Sequence, residues 1–328
     1  MTTEIVVAQK KSPATGGARL WIAIAVTVTL WASAFVGIRL AAPGFSPGAL
    51  TLGRIAVGSL ALTLLRLVSN RAARRGSSAL PGGAQRGQSG QRGRIPRGKV
   101  LLLVVAWGIG WFGIYNLALN AAERHVDAGT ASLLVNVVAP MIIAALAGLL
   151  LGEGFPRRLI AGMIVAAAGV AVIAVATSTG EFDAIGIVLG IAAAFVYASA
   201  ATFQKVLLRR VDAATMTWLG CLSGTIACLP FAPQLISALT TAPLSSIVAV
   251  AYLGVFPTAI AFTTWGYVLS HSSAGRSAAS TYAVPAVVLL LSFLLLKETP
   301  PPAALLGEIL ALGGVAVATL RLTRTSRT

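Results

Sequence analysis

The sequence predicts an all-α membrane protein of ten transmembrane helices, arranged as two inverted five-helix repeats. Three observations predict it. The composition is too apolar for water, ten apolar runs have spanning length, and one phrase returns 145 residues later without its charges.

The 328 residues are 57% hydrophobic and 10% charged, with mean hydropathy +0.87. Soluble domains carry about 25% charged residues, so lipid is the solvent that suits this chain. The formal net charge of +16 does not point to nucleic acid, because most Lys and Arg fall in short breaks between apolar runs. Cys221 and Cys228 lie seven apart in one run, so they share a helix face and read as small packing residues, not a disulfide or metal set. Residues 1–19 lack an early apolar core and a cleavage site, so the first run reads as a retained span and not a signal peptide.

A membrane helix needs about 20 mostly apolar residues. Runs of that kind cover 20–40, 47–69, 99–119, 128–151, 159–177, 184–205, 214–232, 246–268, 274–296 and 303–320. The breaks carry turn chemistry at 42–44 (Ala-Pro-Gly), Pro156, Pro233 and Pro300 to Pro302. Segment 70–98 is rich in Gly, Ser, Gln and Arg and has no acid, so it reads as a disordered basic loop that sets topology and can meet anionic headgroups. The chain then divides into an N-terminal tail (1–19), a first repeat (20–177), a second repeat (184–320) and a basic tail (321–328). With the N-terminus inside, most Lys and Arg fall on the cytoplasmic side. Arg39, Arg124 and Lys297 fall outside, so both termini are expected in the cytoplasm.

The repeat is read from LLLGEGFPRRLIAG at 149–162 and LLLKETPPPAALLG at 294–307. Glu153 and Glu298 are 145 residues apart, as are Pro140 and Pro285, Gly162 and Gly307, and GVAV at 169–172 and 314–317. Upstream the spacing is 166: WASA at 31–34 meets YASA at 197–200, Thr51 meets Thr217 and Gly58 meets Gly224. The basic loop accounts for most of the difference. Five helices are an odd number, so the second copy enters the membrane from the opposite side. Arg157 and Arg158 then face the cytoplasm, while their mates Pro302 and Ala303 face outward and need no charge.

These phrases resemble the drug/metabolite transporter superfamily, in particular its EamA-type inner-membrane exporters. The resemblance is carried by LWASAF at 30–35, AGTASLLVNVVAP at 128–140 and LLLGE at 149–153. In the second copy it is carried by YASA at 197–200, SAGRSAASTYAVP at 273–285 and LLLKE at 294–298. Lys297 departs from the pattern, since a Gly is usual there, and so do the three prolines that follow. The resemblance implies helices 1, 3, 4, 6, 8 and 9 around a central cavity, with 5 and 10 peripheral. It implies a multi-pass protein of the bacterial inner membrane that exports small metabolites by alternating access, amino acids or related amphipathic compounds first. Drugs, nucleosides or sugars are the alternative cargo, moved by a transporter or a facilitator. A non-transporting membrane scaffold is the distant alternative.

Polar and aromatic groups inside apolar spans need a reason to be there. Helix 3 carries Trp107, Trp111 and Tyr115 at every fourth position, beside Asn116 and Asn120. Helix 4 carries Ser132 and Asn136 before Pro140, and helix 9 carries Ser280, Thr281 and Tyr282 before Pro285. Each proline frees a carbonyl one turn earlier. Trp31 and Ser33 come from helix 1, Tyr197, Ser199 and Gln204 from helix 6, and Trp265 from helix 8. These read either as cavity lining or as packing and interfacial groups. Arg54, about a third of the way into helix 2, reads as a handle for a substrate carboxylate or as a snorkelling or carbonyl-paired side chain. Glu308 in helix 10 is the candidate for proton coupling, against its peripheral position.

Enzyme chemistry is excluded on residue supply: the chain has two His, His125 and His271, both at span ends, and no His or acid cluster on one face. No GxxxxGK[ST] phrase is present, which removes direct ATP use. No cofactor is expected. The partners expected are a small-molecule substrate and the bilayer, without nucleic acid, and with a homodimer left open.

Overall fold

A computed structural model of the chain describes residues 15–77, 95–150, 157–177, 184–271, 280–281, 283–297 and 302–319. Every regular element among the described residues is helical. The helices are α1 (Thr15–Ala41), α2 (Pro47–Ser77), α3 (Lys99–Ala122), α4 (Ala128–Leu150) and α5 (Arg157–Thr177), then α6 (Ala184–Leu207), α7 (Ala213–Ala227), α8 (Leu244–His271), α9 (Ala283–Leu296) and α10 (Pro302–Thr319). A helix therefore lies at each expected place. By length and composition, α1, α2, α3, α6 and α8 can each cross a membrane, while α4, α5, α9 and α10 hold shorter apolar stretches.

Two expectations are corrected. The single span expected over 214–232 is a bent pair, Ala213–Ala227 and Leu229–Thr241, at 51°. Pro230 and Pro233 sit at the starts of the short 3-10 turn Leu229–Phe231 and of the second arm, and neither has an N–H to continue the first arm. The basic segment expected to be disordered from residue 70 is instead helical to Ser77. Arg and Ala, which make up residues 71–75, are good helix formers. Most of the remaining loop, 78–94, lies outside the described residues.

Leu65, Ile164, Val188, Ile226, Leu244 and Leu306 are each more than half exposed. A water-soluble fold buries such a set, and a lipid-facing bundle displays it.

Side-chain contacts fix the helix directions. α1 runs against α8, with Thr27 Oγ1 2.7 Å from Thr264 Oγ1 and Ser33 Oγ 2.7 Å from Tyr252 OH. α3 runs against α6, with Trp107 Nε1 donating to the Ala200 carbonyl at 3.1 Å and the Tyr115 and Tyr197 rings 5.9 Å apart. The C-terminal end of α1 meets that of α3, where Arg39 Nη1 donates to the Glu123 carbonyl at 3.1 Å. The C-terminal end of α6 meets that of α8, where Lys205 Nζ donates to the Leu269 carbonyl at 2.5 Å. So α1 is parallel to α3, α6 is parallel to α8, and the two pairs point in opposite directions.

α2 packs on α7 through partners 166 residues apart: Ser59 Oγ lies 2.9 Å from Thr225 Oγ1, and Cys221 Sγ donates to the Ile55 carbonyl at 3.4 Å. α4 packs along α6, α9 along α1, and α10 along α5.

α3 and α8 each widen into a π-helical segment, Ile109–Tyr115 and Gly254–Ile260, and these two segments are also 145 residues apart. Side chains take up the carbonyls that the wider turn leaves over. Asn116 Nδ2 donates to the carbonyls of Trp111 and Phe112 at 3.1 and 3.0 Å. In α8, Pro257 has no N–H for the Leu253 carbonyl, and Thr258 Oγ1 donates to it at 2.8 Å.

α9 ends at Lys297, which has φ 57° and ψ 24°, the left-handed conformation that a Cβ penalises. The departure noted at this position is therefore a strained one. Lys297→Gly is expected to stabilise the protein by about 1 kcal/mol, read as a rise in melting temperature in detergent. A fall in melting temperature would show that the Lys297 side chain outweighs its backbone strain.

Candidate functional site

α1, α2, α3, α4, α6 and α8 enclose a cavity of about 30 Å³. It is lined by Trp31, Ala34 and Phe35 from α1, Arg54 from α2, Trp111, Tyr115, Asn116 and Leu119 from α3, Asn136 from α4, Tyr197 from α6 and Phe262 from α8. That volume suits about two water molecules. An organic solute needs a pocket of about 300 Å³ or more, so the site is described in a closed form.

The wall is an aromatic cluster. Phe262 stands 5.4 Å, ring centre to ring centre, from both Trp31 and Trp111, and 4.7 Å from Phe112. Tyr197 meets Trp111 at 5.4 Å and Trp31 at 6.2 Å, both edge to face. Such rings offer a rigid apolar surface with polar edges. Not all of the α3 aromatics line the cavity. Trp107, expected on one stripe with Trp111 and Tyr115, is turned to α6 through its bond to Ala200, while Trp111 and Tyr115 face the cavity.

Seven of the expected residues are brought together here: Trp31, Arg54, Trp111, Tyr115, Asn116, Asn136 and Tyr197. Asn136 Nδ2 donates to the Ser132 carbonyl at 2.9 Å, one turn before Pro140, which is buried but outside the lining. Ser33 and Asn120 are structural ties: Ser33 binds Tyr252, and Asn120 Nδ2 donates to Thr51 Oγ1 at 2.8 Å. Trp265 backs Trp31 at 5.0 Å without entering the lining. Ser199 and Pro285 also lie outside the lining, and Tyr282 lies outside the described residues. The carbonyl expected to be freed by Pro285 accepts from the Val284 backbone N–H at 3.0 Å. Glu308 is buried on α10, which packs on α5 and away from the cavity. Ala34, Phe35, Leu119 and Phe262 were not among the expected site residues, because an apolar residue in an apolar span carries no signal of its own. Phe262 lies three residues before Trp265, the same helix face, which is the one cue available.

Among the described residues no group of three or more His, Cys, Asp or Glu could hold a metal ion. The lining supplies rings, amides and one guanidinium: groups that hold a solute without a nucleophile beside a base.

An apolar helical bundle around such a cavity defines a multi-pass membrane protein that handles a small molecule within its own thickness. The chain belongs to the EamA-like transporter family, whose pattern matches residues 19–175 and 184–320. It is a small-molecule transporter and not an enzyme. It is 36% identical to a "Probable terminal-alkyne amino-acid exporter" of Streptantibioticus cattleyicolor, over 89% of this chain and 91% of that protein. It is 29% identical to an uncharacterized transporter of Bacillus subtilis over 94% of both chains. It is also 29% identical to a "Probable amino-acid metabolite efflux pump" of Salmonella typhimurium, over 71% of this chain and 82% of that protein. A solved crystal structure shares the fold at TM-score 0.61 with 22% identity, covering 97% of this chain and all of the other.

Proposed function

We propose that the protein is a secondary exporter of amino acids or related amphipathic metabolites, working by alternating access between two inverted five-helix repeats. The observation that carries this reading is the aromatic cavity, closed in this form and walled by helices of both halves. On a two-fold axis a residue meets its own mate. Ser59 and Thr225, Ile55 and Cys221, and Trp31 and Tyr197 are mates at the 166 spacing, and each pair is in contact. These contacts between mates support a pseudo-two-fold axis through the α2–α7 contact and the aromatic cavity. Two matching halves give two near-equivalent states, one open to each side.

The ends of the bundle support the same reading. Arg39 and Lys205 are mates at the same 166 spacing, and each donates to a carbonyl at the end of the helix parallel to its own. A cation on terminal helix carbonyls is favourable and reversible. The two lie at opposite ends, so they serve as latches, one per entrance, with both shut here. In the orientation set by the positive-inside rule, the Arg39 latch is on the outer face and the Lys205 latch on the cytoplasmic face of the inner membrane. The printed names of the Streptantibioticus and Salmonella relatives favour amino acids among the cargo classes.

The test is uptake of a radiolabelled amino-acid pool into everted vesicles, with and without a pH gradient. Uptake above empty-vector vesicles is expected, reduced about tenfold or more by Tyr115→Ala or Asn136→Ala, which remove cavity groups at the rim of the cluster. Absence of uptake for every amino acid by folded, inserted protein would overturn the substrate class and bring drugs, nucleosides and sugars forward. A response to the pH gradient lost in Glu308→Gln would assign coupling to Glu308.

A further inference from the structure

Arg54 lies in the wall of the cavity and is only 3% exposed. Two readings of a cation at this depth fail here. It does not snorkel, since burial leaves its head no path to water or headgroups. It does not pair with carbonyls either: Nε and Nη1 have no hydrogen-bond partner among the described residues. Glu123 and Tyr115 are near enough to act on it electrostatically, but no hydrogen bond joins its guanidinium to the Glu123 carboxylate. A buried charge with open donors is costly to keep, and this one borders the one pocket described.

We propose that Arg54 is the anchor for a substrate carboxylate. This rests on the transporter reading and names the cargo more closely: a small monocarboxylate with an apolar or aromatic body. The guanidinium fork matches a carboxylate with two parallel bonds and keeps its charge at any working pH. The body of the solute lies against Trp31, Trp111, Tyr197 and Phe262, which surround the rest of the space. Arg54 is the one basic side chain in that lining, so a single negative charge is balanced and a phosphate dianion is not. Organic cations are repelled. A primary amine on the solute is tolerated and not required.

The experiment titrates the purified full chain in detergent, reading tryptophan fluorescence from the cavity. Four probes share one ring: phenylalanine, 3-phenylpropionate, phenylalaninamide and phenethylamine. Both acids are expected to bind, and the amide and the amine about 100-fold more weakly, the value of a charge-assisted pair of bonds. Arg54→Gln is expected to weaken the acids about 100-fold and leave the amide unchanged. Arg54→Lys, which keeps the charge without the fork, falls between them. Equal binding of acid and amide by the unaltered protein would overturn the inference, as would no binding of any probe, or acid preference retained in Arg54→Gln. Should Arg54→Gln fail to fold, the acid-against-amide comparison and Arg54→Lys decide. Parallel flux in proteoliposomes separates the two readings. Acid-selective binding without movement keeps the anchor and defeats transport, and flux that ignores Arg54→Gln does the reverse.

Discussion

Gly108→Val is expected to abolish accumulation of folded protein in the membrane. A Cβ at Gly108 would stand 2.4 Å from the Gly220 Cα and 2.5 Å from the Gly220 carbonyl oxygen, besides 2.3 Å from Ser223 Oγ. The two nearest backbone atoms belong to α7, so no side chain can swing away to make room. α3 and α7 would have to separate. The same seam holds Trp107 against Gly220 and Phe112 against Gly224, so its opening would loosen the aromatic wall of the cavity. Overpacking of this kind costs about 3 kcal/mol or more for a valine, a large part of the 5–15 kcal/mol, roughly, that holds a typical fold. Gly110 is the internal control, two residues on in the same helix, with nothing within 4 Å of its Cβ position. Gly110→Ala is expected to leave folded yield and melting temperature unchanged or slightly raised, since alanine is the better helix former. Gel filtration of fluorescently tagged protein reads both variants. Equal yields for Gly108→Val and Gly110→Ala would mean that α3 and α7 do not approach as described.

The second large effect concerns the entrances. A cysteine placed at Ala34, in the cavity wall, is expected to be nearly inert to a membrane-impermeant maleimide in a background with Cys221 and Cys228 replaced by alanine. Adding Arg39→Ala is expected to raise its labelling rate at least about tenfold from one side of the membrane. Adding Lys205→Ala is expected to raise it from the other side. Each substitution removes at least one charge-assisted hydrogen bond, worth about 1.5–3 kcal/mol, and in the proposed alternating-access cycle the closed and open states differ by little more than that. Labelling that rises from the same side in both variants would defeat the latch assignment and the inverted arrangement with it. Right-side-out and everted vesicles supply the two faces, and the side opened by Arg39→Ala reports the orientation of the chain. The Arg39 end is further tied by Arg124, whose Nη2 donates to the Ala42 carbonyl at 2.9 Å and to that of Phe45. Arg124→Ala is therefore expected to add to the effect of Arg39→Ala and not to that of Lys205→Ala.

Much of the architecture was legible without coordinates, because lipid imposes simple rules. A spanning helix must be about 20 residues of apolar chain, and a charge must sit where water reaches it. The ten expected helix positions were read from the first rule, and the proposed inversion accounts for the loss of Arg157 and Arg158 in the second copy by the second. The offsets of 145 and 166 were likewise present as letters, and they reappear as the spacing of two π-segments and of the Ser59–Thr225 contact. Trp31, Trp111, Tyr115, Asn136 and Tyr197 were readable as cavity candidates, because a ring with a polar edge or an amide inside an apolar run needs a reason.

What only the tertiary structure decided concerns direction and partners around a helix. Trp107 stays 5.6 Å from Trp111, ring centre to ring centre, yet it lies outside the lining, bonded to the Ala200 carbonyl and packed on Gly220. Asn120 carries the same amide as Asn136, and Ser33 a small hydroxyl, yet they meet Thr51 and Tyr252 and not the cavity. That difference depends on which helix lies opposite. Phe262 was silent in the sequence and central in the structure. Arg54 shows the division most clearly. Its charge and depth were plain from the sequence, but whether a cation pairs, snorkels or waits for an anion depends on the atoms around it, and those come from helices distant in the chain.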